Sequence, residues 1–414
     1  MAARDLISAS DDVFDENAEK LMAGADRRLR GARTKAPVKS HKSSFLARLS
    51  DLVFARRNAL LSSPAFQRAA AKFPLTRPLS RRKARQTFDL CAGFVYSQVL
   101  YACVETELFD FLKAAPKSIE EIAKYTGLPV DGAERLVRAA AALRLLEARR
   151  DQFGLGELGA ALLGNRSVFA MVRHHQSLYA DLQDPLARLS RRSRETELAS
   201  FWGYAGSNAP DRLNETAVEP YSDLMAQTQA FIAQEVIAAY DFKRSNRVLD
   251  IGGGAGAFVS ALADRHAHLS LGLFDLPSVT EVAASRFVAN GYSNRIQVFG
   301  GSFFSDALPS GFDTISIVRI LHDHDDPQAL EILRAAHRAL PPSGRVLIAE
   351  PMSKVPGAEA MGDAYFGIYL WVMGSGRPRT EEELTEMAQA AGFSRVKRAP
   401  TRTPILTQLL IAEK

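Results

Sequence analysis

The chain is short of cysteine and tryptophan, with two of each in 414 residues, and it has no long hydrophobic run. Two cysteines cannot build the dense disulfide framework of a small secreted domain. Cys91 and Cys103 fall twelve residues apart on one apolar stretch. On a helix that is about 18 Å at roughly 1.5 Å per residue, so they cannot bridge and read as reduced, structural thiols. The longest apolar stretch, Leu90 to Val104, has 15 residues and includes Ser97 and Gln98. It is too short and too polar to span a bilayer and reads as a buried helix. A charged start followed by an apolar stretch and a small-residue cleavage site is also missing, so no signal peptide is expected and the cytoplasm is the expected location. With 47% hydrophobic and 24% charged residues the composition is that of a globular protein, and the length allows two full cores.

Charge is uneven along the chain. Residues 1–86 hold 19 Lys and Arg against 8 Asp and Glu, net +11, so the remainder of a chain of net +5 carries −6. The pI of about 9.1 therefore describes an arm more than a domain. The basic clusters Arg27-Arg28-Leu29-Arg30, Arg56-Arg57 and Arg81-Arg82-Lys83-Ala84-Arg85 are interleaved with Phe45-Leu46-Ala47-Arg48-Leu49 and Leu52-Val53-Phe54. A solvated tail and a membrane-binding arm both fit this pattern. The Leu and Phe content favours peripheral contact with an anionic surface, the inner membrane, over nucleic acid, which is not expected as a partner.

Residues 87–180 are helical by pattern: Phe88 to Leu112, then Ser118-Ile119-Glu120-Glu121-Ile122-Ala123 opening on a Ser cap, then Asp131 to Leu146. Leu136, Val137, Ala140, Leu143 and Leu146 repeat at helical spacing and make one apolar face. The turn Arg149-Arg150-Asp151 and Phe153-Gly154-Leu155 follow, which predicts a helix-turn-helix with a small β wing. Such a unit grips DNA or packs against its own copy. From Arg247 onward strands alternate with helices, the pattern of an α/β fold with a doubly wound, mostly parallel sheet. The expected strands are Arg247 to Ile251, Leu269 to Phe274, Ile296 to Phe299, Thr314 to Ile320 and Arg345 to Ala349. Arg395 to Ala399 and Leu406 to Ala412 are expected as an antiparallel pair at the sheet edge. The chain thus divides into a basic arm (1–86), a winged-helix-like unit (87–180), a helical linker (181–246) and a sheet domain (247–414).

The first of these strands runs into Asp250-Ile251-Gly252-Gly253-Gly254-Ala255-Gly256, which lets backbone approach a ligand closely at a helix N-terminus. Asp275, twenty-five residues past Asp250, ends the second strand, where a carboxylate takes both hydroxyls of a ribose. Together they place a nucleoside, and a nicotinamide dinucleotide and S-adenosylmethionine both fit. Asp250 before the glycines favours the methyl donor, because a carboxylate helps an amino-acid ammonium and repels a pyrophosphate. The C-terminal hairpin points the same way. The segment Ile320-Leu321-His322-Asp323-His324-Asp325-Asp326 ends an apolar run with five groups that ligate, accept protons or orient a substrate. Taken alone it fits a metal site or a solvated helix cap.

Asp250 to Gly256, Phe274-Asp275-Leu276-Pro277, Gly301-Ser302-Phe303-Phe304, Arg319-Ile320-Leu321-His322-Asp323, Ala349-Glu350-Pro351 and Arg379-Thr380 through Ala391-Gly392-Phe393 stand in the order and spacing of one family. Over roughly residues 87–414 the chain resembles the S-adenosylmethionine-dependent O-methyltransferases of the acetylserotonin and plant caffeate type. Phe73-Pro74-Leu75-Thr76-Arg77, Gly93 to Gln98, Tyr221-Ser222-Asp223-Leu224-Met225 and Gly362 to Phe366 are similar to the bacterial carotenoid members, the demethylspheroidene or hydroxyneurosporene type. The resemblance implies a homodimer built through the winged-helix unit, a Rossmann-like sheet, S-adenosylmethionine as methyl donor and an apolar substrate. It implies that Gly252, Gly254 and Gly256 line the methionine part of the donor, Asp275 the ribose, and Gly301, Ser302 and Phe303 the adenine, with Arg319 a further contact. His322 matches the catalytic base, Asp323 its neighbour and Glu350 the carboxylate that orients the imidazole. No metal is required for such a transfer.

The chain departs from that pattern in three places. Ser302 stands where many members have Asp, which weakens one adenine contact. Pro378 stands where plant enzymes have a second orienting Glu, so that Glu350 acts alone or borrows Glu383. His324 stands where they have Trp, either sharing the base role or filling the pocket wall. Tyr365, Phe366, Tyr369, Trp371 and Met373 fit a substrate tunnel or plain core, and His174-His175 reads as structural. Two other functions fit parts of the pattern: an O-methyltransferase for a phenol or a bacteriochlorophyll precursor, and a winged-helix regulator that senses a nucleoside and binds DNA.

Overall fold

The computed structural model describes residues 45–190, 192, 193, 195–201 and 229–414. The clusters Arg27-Arg28-Leu29-Arg30 and Tyr221-Ser222-Asp223-Leu224-Met225 lie outside the described residues, as does much of the expected linker. The chain falls into two compact units that meet in sequence at Cys91 and Ala92.

In the first unit, helices Phe45–Ser62 and Pro64–Lys72 precede a long helix, Arg77–Glu105, whose residues from Ala92 on belong to the second unit. Ser63 caps the second by accepting from the Phe66 N–H, with Pro64 at the first helical position where its missing N–H costs nothing. The Thr76 hydroxyl donates to the Ala70 carbonyl at 2.7 Å and closes the turn before the long helix. The apolar stretch expected as a buried helix is exposed or only half-buried over most of its length. Leu90 is 86% and Phe94 71% exposed, and only Cys103 and Val104 of this helix are buried. By length and composition alone the 29-residue helix also passes for a membrane span, which the 15-residue stretch did not. Apolar composition says that a surface will be covered, not by which molecule.

The second unit begins with small helices around their own core. The Ser118 and Glu121 side chains and backbones form a reciprocal capping box at the start of Ile119–Thr126. The next helix is Val130–Ala142, four residues shorter at its end than expected. Arg144 takes a left-handed turn, φ 62°, and Leu146 then opens a strand instead of closing a helical face. Glu107, φ 52°, likewise breaks the expected helix to Leu112. β1 (Leu146–Arg149) and β2 (Gln152–Leu155) pair antiparallel across Arg150-Asp151 as the wing. Val137, Ala140, Leu146 and Phe153 join one buried cluster with Phe109 and Ile122.

The remaining strands are β3 (Arg247–Ile251), β4 (Ser270–Asp275), β5 (Ile296–Gly300), β6 (Thr314–Val318), β7 (Arg345–Glu350), β8 (Arg395–Ala399) and β9 (Gln408–Glu413). They form one sheet in the order β5-β4-β3-β6-β7-β9-β8. The first five run parallel, and β9 lies antiparallel between β7 and β8. Two buried clusters, one around Ile315, Ile317 and Ile348 and one around Val248, Leu271 and Leu347, cover the two faces, which makes the fold doubly wound. β3 is the switch point, with β4 on one side and β6 on the other, so a ligand crevice opens at the carboxyl ends of these strands. β6 ends two residues earlier than its apolar run, because Arg319 adopts φ 59° and turns the chain out of the sheet.

Candidate active site

The loop after β3 supplies a cradle. Gly252 has φ +68° and a Cβ there would sit 2.5 Å from the Ile320 side chain, so both conformation and space demand glycine. Gly254 has φ +56° and faces open space. Gly256 begins the helix Ala257–Arg265, also in the left-handed region. Beneath the loop, Asp250 stands opposite Ser316 on β6 and accepts its hydroxyl at 2.6 Å. Burial pushes the Asp250 carboxyl up to about 7. Asp275, at the end of β4, accepts the N–H groups of Gly254 and Leu276, each at 2.7 Å. Burial nevertheless raises it to about 6. Three residues on, the Ser278 hydroxyl is buried with no partner.

The loop after β5 forms the next wall. The Gly301 N–H donates to the Asp275 carbonyl at 2.9 Å, and a Cβ on Gly301 would press on the Phe274 ring. The Ser302 N–H donates to the Asp306 carboxylate at 2.9 Å. An acidic group thus sits four residues after the position where the family has Asp, a neighbour that strand and motif reading did not reveal. Phe303 and Phe304 pack edge to face, and the His324 ring stands at nearly right angles to both, with centroids 5.7 and 5.5 Å away. Burial, with His322 nearby, lowers His324 to about 4. His324 is therefore a neutral wall of the pocket.

His322 lies on a short 3-10 turn, Leu321–Asp323, just past β6. The neighbouring strand β7 pairs Ala349 with Val318, so Glu350 at its end comes beside the segment that leads into the turn. One Glu350 oxygen accepts the N–H groups of Ile320 at 3.0 Å and Leu321 at 2.7 Å, and the other pairs with His322 Nδ1. The carboxylate therefore holds both the turn and the ring, which leaves Nε2 facing the crevice side. Nε2 lies 3.1 Å from Asp323 Oδ1, yet that buried oxygen makes no aligned hydrogen bond. Burial alone would lower the His322 pKa, but the Asp323 and Glu350 carboxylates outweigh it and hold the group above its ordinary 6.5.

Glu383 does not take part. Its carboxylate caps its own helix at Thr380 and pairs with Arg377 at 2.9 Å. The second carboxylate beside the imidazole is Asp323. Gly376 and Arg377, which sequence reading did not single out, clamp the turn from outside. Arg377 N–H donates to the His322 carbonyl at 2.9 Å, and Gly376 passes so close to that carbonyl that no side chain fits there.

The opposite wall is a π-helical stretch, Ala360–Phe366, continuing into the helix Gly367–Met373. Such wide turns recur at functional sites. Phe366 stands edge-on to the His322 ring at 5.9 Å. Tyr369 and Met373 are buried as core, and Trp371 donates to the Arg188 carbonyl at 2.9 Å. His174 and His175 peg this wall from the helix Arg166–Asp181, sharing hydrogen bonds of 2.6 Å with Tyr369 and 2.7 Å with Tyr365. All the site residues anticipated from sequence thus gather at one end of the sheet, around the carboxyl ends of β3 to β7.

Comparison with known proteins adds to this geometry. Residues 180–394 match the O-methyltransferase domain model and residues 88–165 the O-methyltransferase dimerisation domain model. The chain is 39% identical over 354 residues to demethylspheroidene O-methyltransferase of Cereibacter sphaeroides, covering 85% of this chain and 93% of that one. It is 36% identical to the protein of the same name from Rhodobacter capsulatus, covering 97% of each. The human N-acetylserotonin methyltransferase structure with S-adenosylmethionine has a TM-score of 0.67 at 22% identity, covering 80% of this chain and 97% of that chain, a likeness of fold.

Proposed function

The chain belongs to the S-adenosylmethionine-dependent O-methyltransferase family, and on that premise we propose that it methylates a hydroxyl of an apolar substrate, a hydroxylated carotenoid of the demethylspheroidene type. The near full-length identity to two demethylspheroidene O-methyltransferases supports the substrate class. The DNA-binding alternative finds no support in these relatives. The observation that carries the reaction is the Glu350–His322 pair, buried at the carboxyl end of the sheet with Phe366 against the imidazole.

The residues fit the donor. The open, left-handed Gly254, the Asp275 carboxylate beside it and the unpartnered Ser278 hydroxyl make a polar cradle that would hold a nucleoside and an amino acid. Asp250 would face the ammonium through the glycine loop, Asp275 the ribose, and Gly301, Ser302 and Phe303 the adenine, with Arg319 beside them. When bound, the donor supplies a methyl group on a positively charged sulfur.

The chain's own residues supply alignment and a proton acceptor. Glu350 fixes the tautomer of His322 with Nδ1 protonated, so that Nε2 receives the hydroxyl. Asp323 steadies the imidazolium that forms. A tertiary alcohol is far less acidic than a phenol, so His322 chiefly holds the oxygen in line and takes its proton late. Phe303, Phe304 and Phe366 keep water away from the reacting atoms. The protein carries the family's dimerisation domain and acts as a homodimer. Its basic arm meets an anionic membrane, where a carotenoid is dissolved.

Purified protein with labelled methyl donor and a panel of hydroxylated carotenoids, phenols and bacteriochlorophyll precursors tests the substrate. Label confined to a phenol or a tetrapyrrole would overturn the carotenoid reading.

A further inference from the structure

The helix that starts at Arg77 turns four guanidinium groups toward one notch of about 550 Å3, lined by Pro74, Arg77, Pro78, Arg81, Arg82 and Arg85. Arg77, Arg81 and Arg85 recur at four-residue spacing, so they form one stripe on the helix, with Arg82 beside it. Among the described residues none of the four has an ion-pair or hydrogen-bond partner, whereas exposed arginines of the other unit, such as Arg138 and Arg398, do. Four uncompensated charges held together cost repulsion unless an anion meets them. On either side of Pro74 in the sequence, the turn preceding the helix leaves Phe73 55% and Leu75 83% exposed. The surrounding residues 45–86 carry ten Lys and Arg against a single Asp.

We propose that this corner, Phe73 to Arg85, is a binding site for an anionic phospholipid, with the headgroup phosphate in the arginine notch and the Phe73 and Leu75 side chains sunk among the acyl chains. The site deepens the membrane contact proposed above and rests on it. A second copy of the chain would bring an equally basic corner, and a free phosphate would leave Phe73 and Leu75 in water. The exposed apolar residues Phe88, Leu90 and Phe94 lie within the match to the dimerisation domain and are not part of this site. The corner would set the enzyme on the bilayer that holds its apolar substrate.

The test is co-sedimentation of the full chain with phosphatidylcholine vesicles, with and without phosphatidylglycerol, at low and high salt. The unmodified protein should partition to the anionic vesicles in a salt-dependent way. R81E/R85E should reduce that partitioning about tenfold or more, and L75D should reduce it at all salt concentrations. Both variants should keep the parent's circular dichroism and its turnover of detergent-dispersed substrate. If the unmodified protein ignores anionic vesicles, the membrane reading itself fails. If it binds them and both variants bind equally well, the contact lies elsewhere in the arm and this site is wrong. Loss of the dimer in light scattering with vesicle binding intact would assign the arginines to a second copy. Inorganic phosphate bound in the notch without competing against vesicles would assign them to a free anion. Either result would overturn the proposal.

Discussion

Arg379 brackets His322 from both sides along the chain. Its guanidinium, only 2% exposed, donates to the Leu321 carbonyl at 2.6 Å and to the His324 carbonyl at 2.7 Å. The same group is held by Asp326 at 2.8 Å. A planar fork spreads its donors over three nitrogens to reach all three acceptors, whereas the donors of an ammonium all leave from one nitrogen. Arg379→Lys should therefore leave a carbonyl of the turn unpaired and let the imidazole drift. A displacement of the order of 1 Å costs roughly a hundredfold in rate. We expect kcat to fall by about that factor while donor affinity, set at the far side of the crevice, changes less than about twofold. Single-turnover kinetics and calorimetric titration with the donor measure the two separately. An unchanged kcat would show that the turn holds its shape without the clamp.

The charge beside His322 sets a pH dependence. To accept a proton the ring must be neutral, so kcat/KM should rise with pH through the folded pKa of His322, which lies above 6.5. The sign for stability is opposite: a group whose pKa is raised by folding stabilises fully below 6.5, and that contribution fades as pH climbs through the folded value. Asp323→Asn removes the larger of the two charges that raise the pKa against burial, so the acidic limb of kcat/KM should move to lower pH. An acidic limb that stays in place would mean that another group titrates in the profile.

The sheet was legible from residue pattern because its central strands are buried on both faces, and β3 and β8 begin and end at the expected residues. β6 was overrun by two residues, since Arg319 leaves the sheet through backbone conformation, and conformation at a single residue has no periodic signature. The site was legible as a set of motifs, and Glu350 was placed with His322 by the family resemblance, with which the strand order agrees. What escaped were contacts made by separate loops. Asp306 beside Ser302 and Arg379 on the Leu321 carbonyl depend on how two loops fold against each other, and the choice between Asp323 and Glu383 as second carboxylate is a matter of a few ångströms.

Asp250 links donor binding to pH. The folded chain keeps its proton up to about 7, whereas an unfolded chain releases it near 3.8. Across that window the native state binds more protons than the unfolded one, so the donor-free protein loses stability as pH rises. Above the window the carboxylate is charged and matches an ammonium, so donor affinity should rise with pH. Asp250→Asn should flatten the dependence of melting temperature on pH and weaken donor binding about tenfold at alkaline pH, the strength of one charge-assisted hydrogen bond. Asp275 titrates in an overlapping range, near 6, and remains in the variant as an internal reference. Equal donor affinity in both proteins at alkaline pH would remove Asp250 from the ammonium site.

The wall that faces His322 depends on a pair of side chains from different elements. His175 and Tyr365 share a 2.7 Å hydrogen bond, and Tyr365 precedes Phe366, whose ring meets the imidazole. Burial lowers the His175 pKa and raises that of the Tyr365 phenol, so both partners are neutral and the bond joins two dipoles. Removing one partner leaves the other unsatisfied in a partly buried place, at about 1–3 kcal/mol, while removing both costs much less than the sum. Tyr365→Phe and His175→Phe should each destabilise the protein by that order in urea unfolding, and the double variant should lose less than the two together. Because the wall loosens without touching the donor cradle, the acceptor KM should rise severalfold in each single variant with donor affinity unchanged. Strict additivity in the cycle would mean that the two residues act independently, and the acceptor KM would then have to be explained by each ring alone.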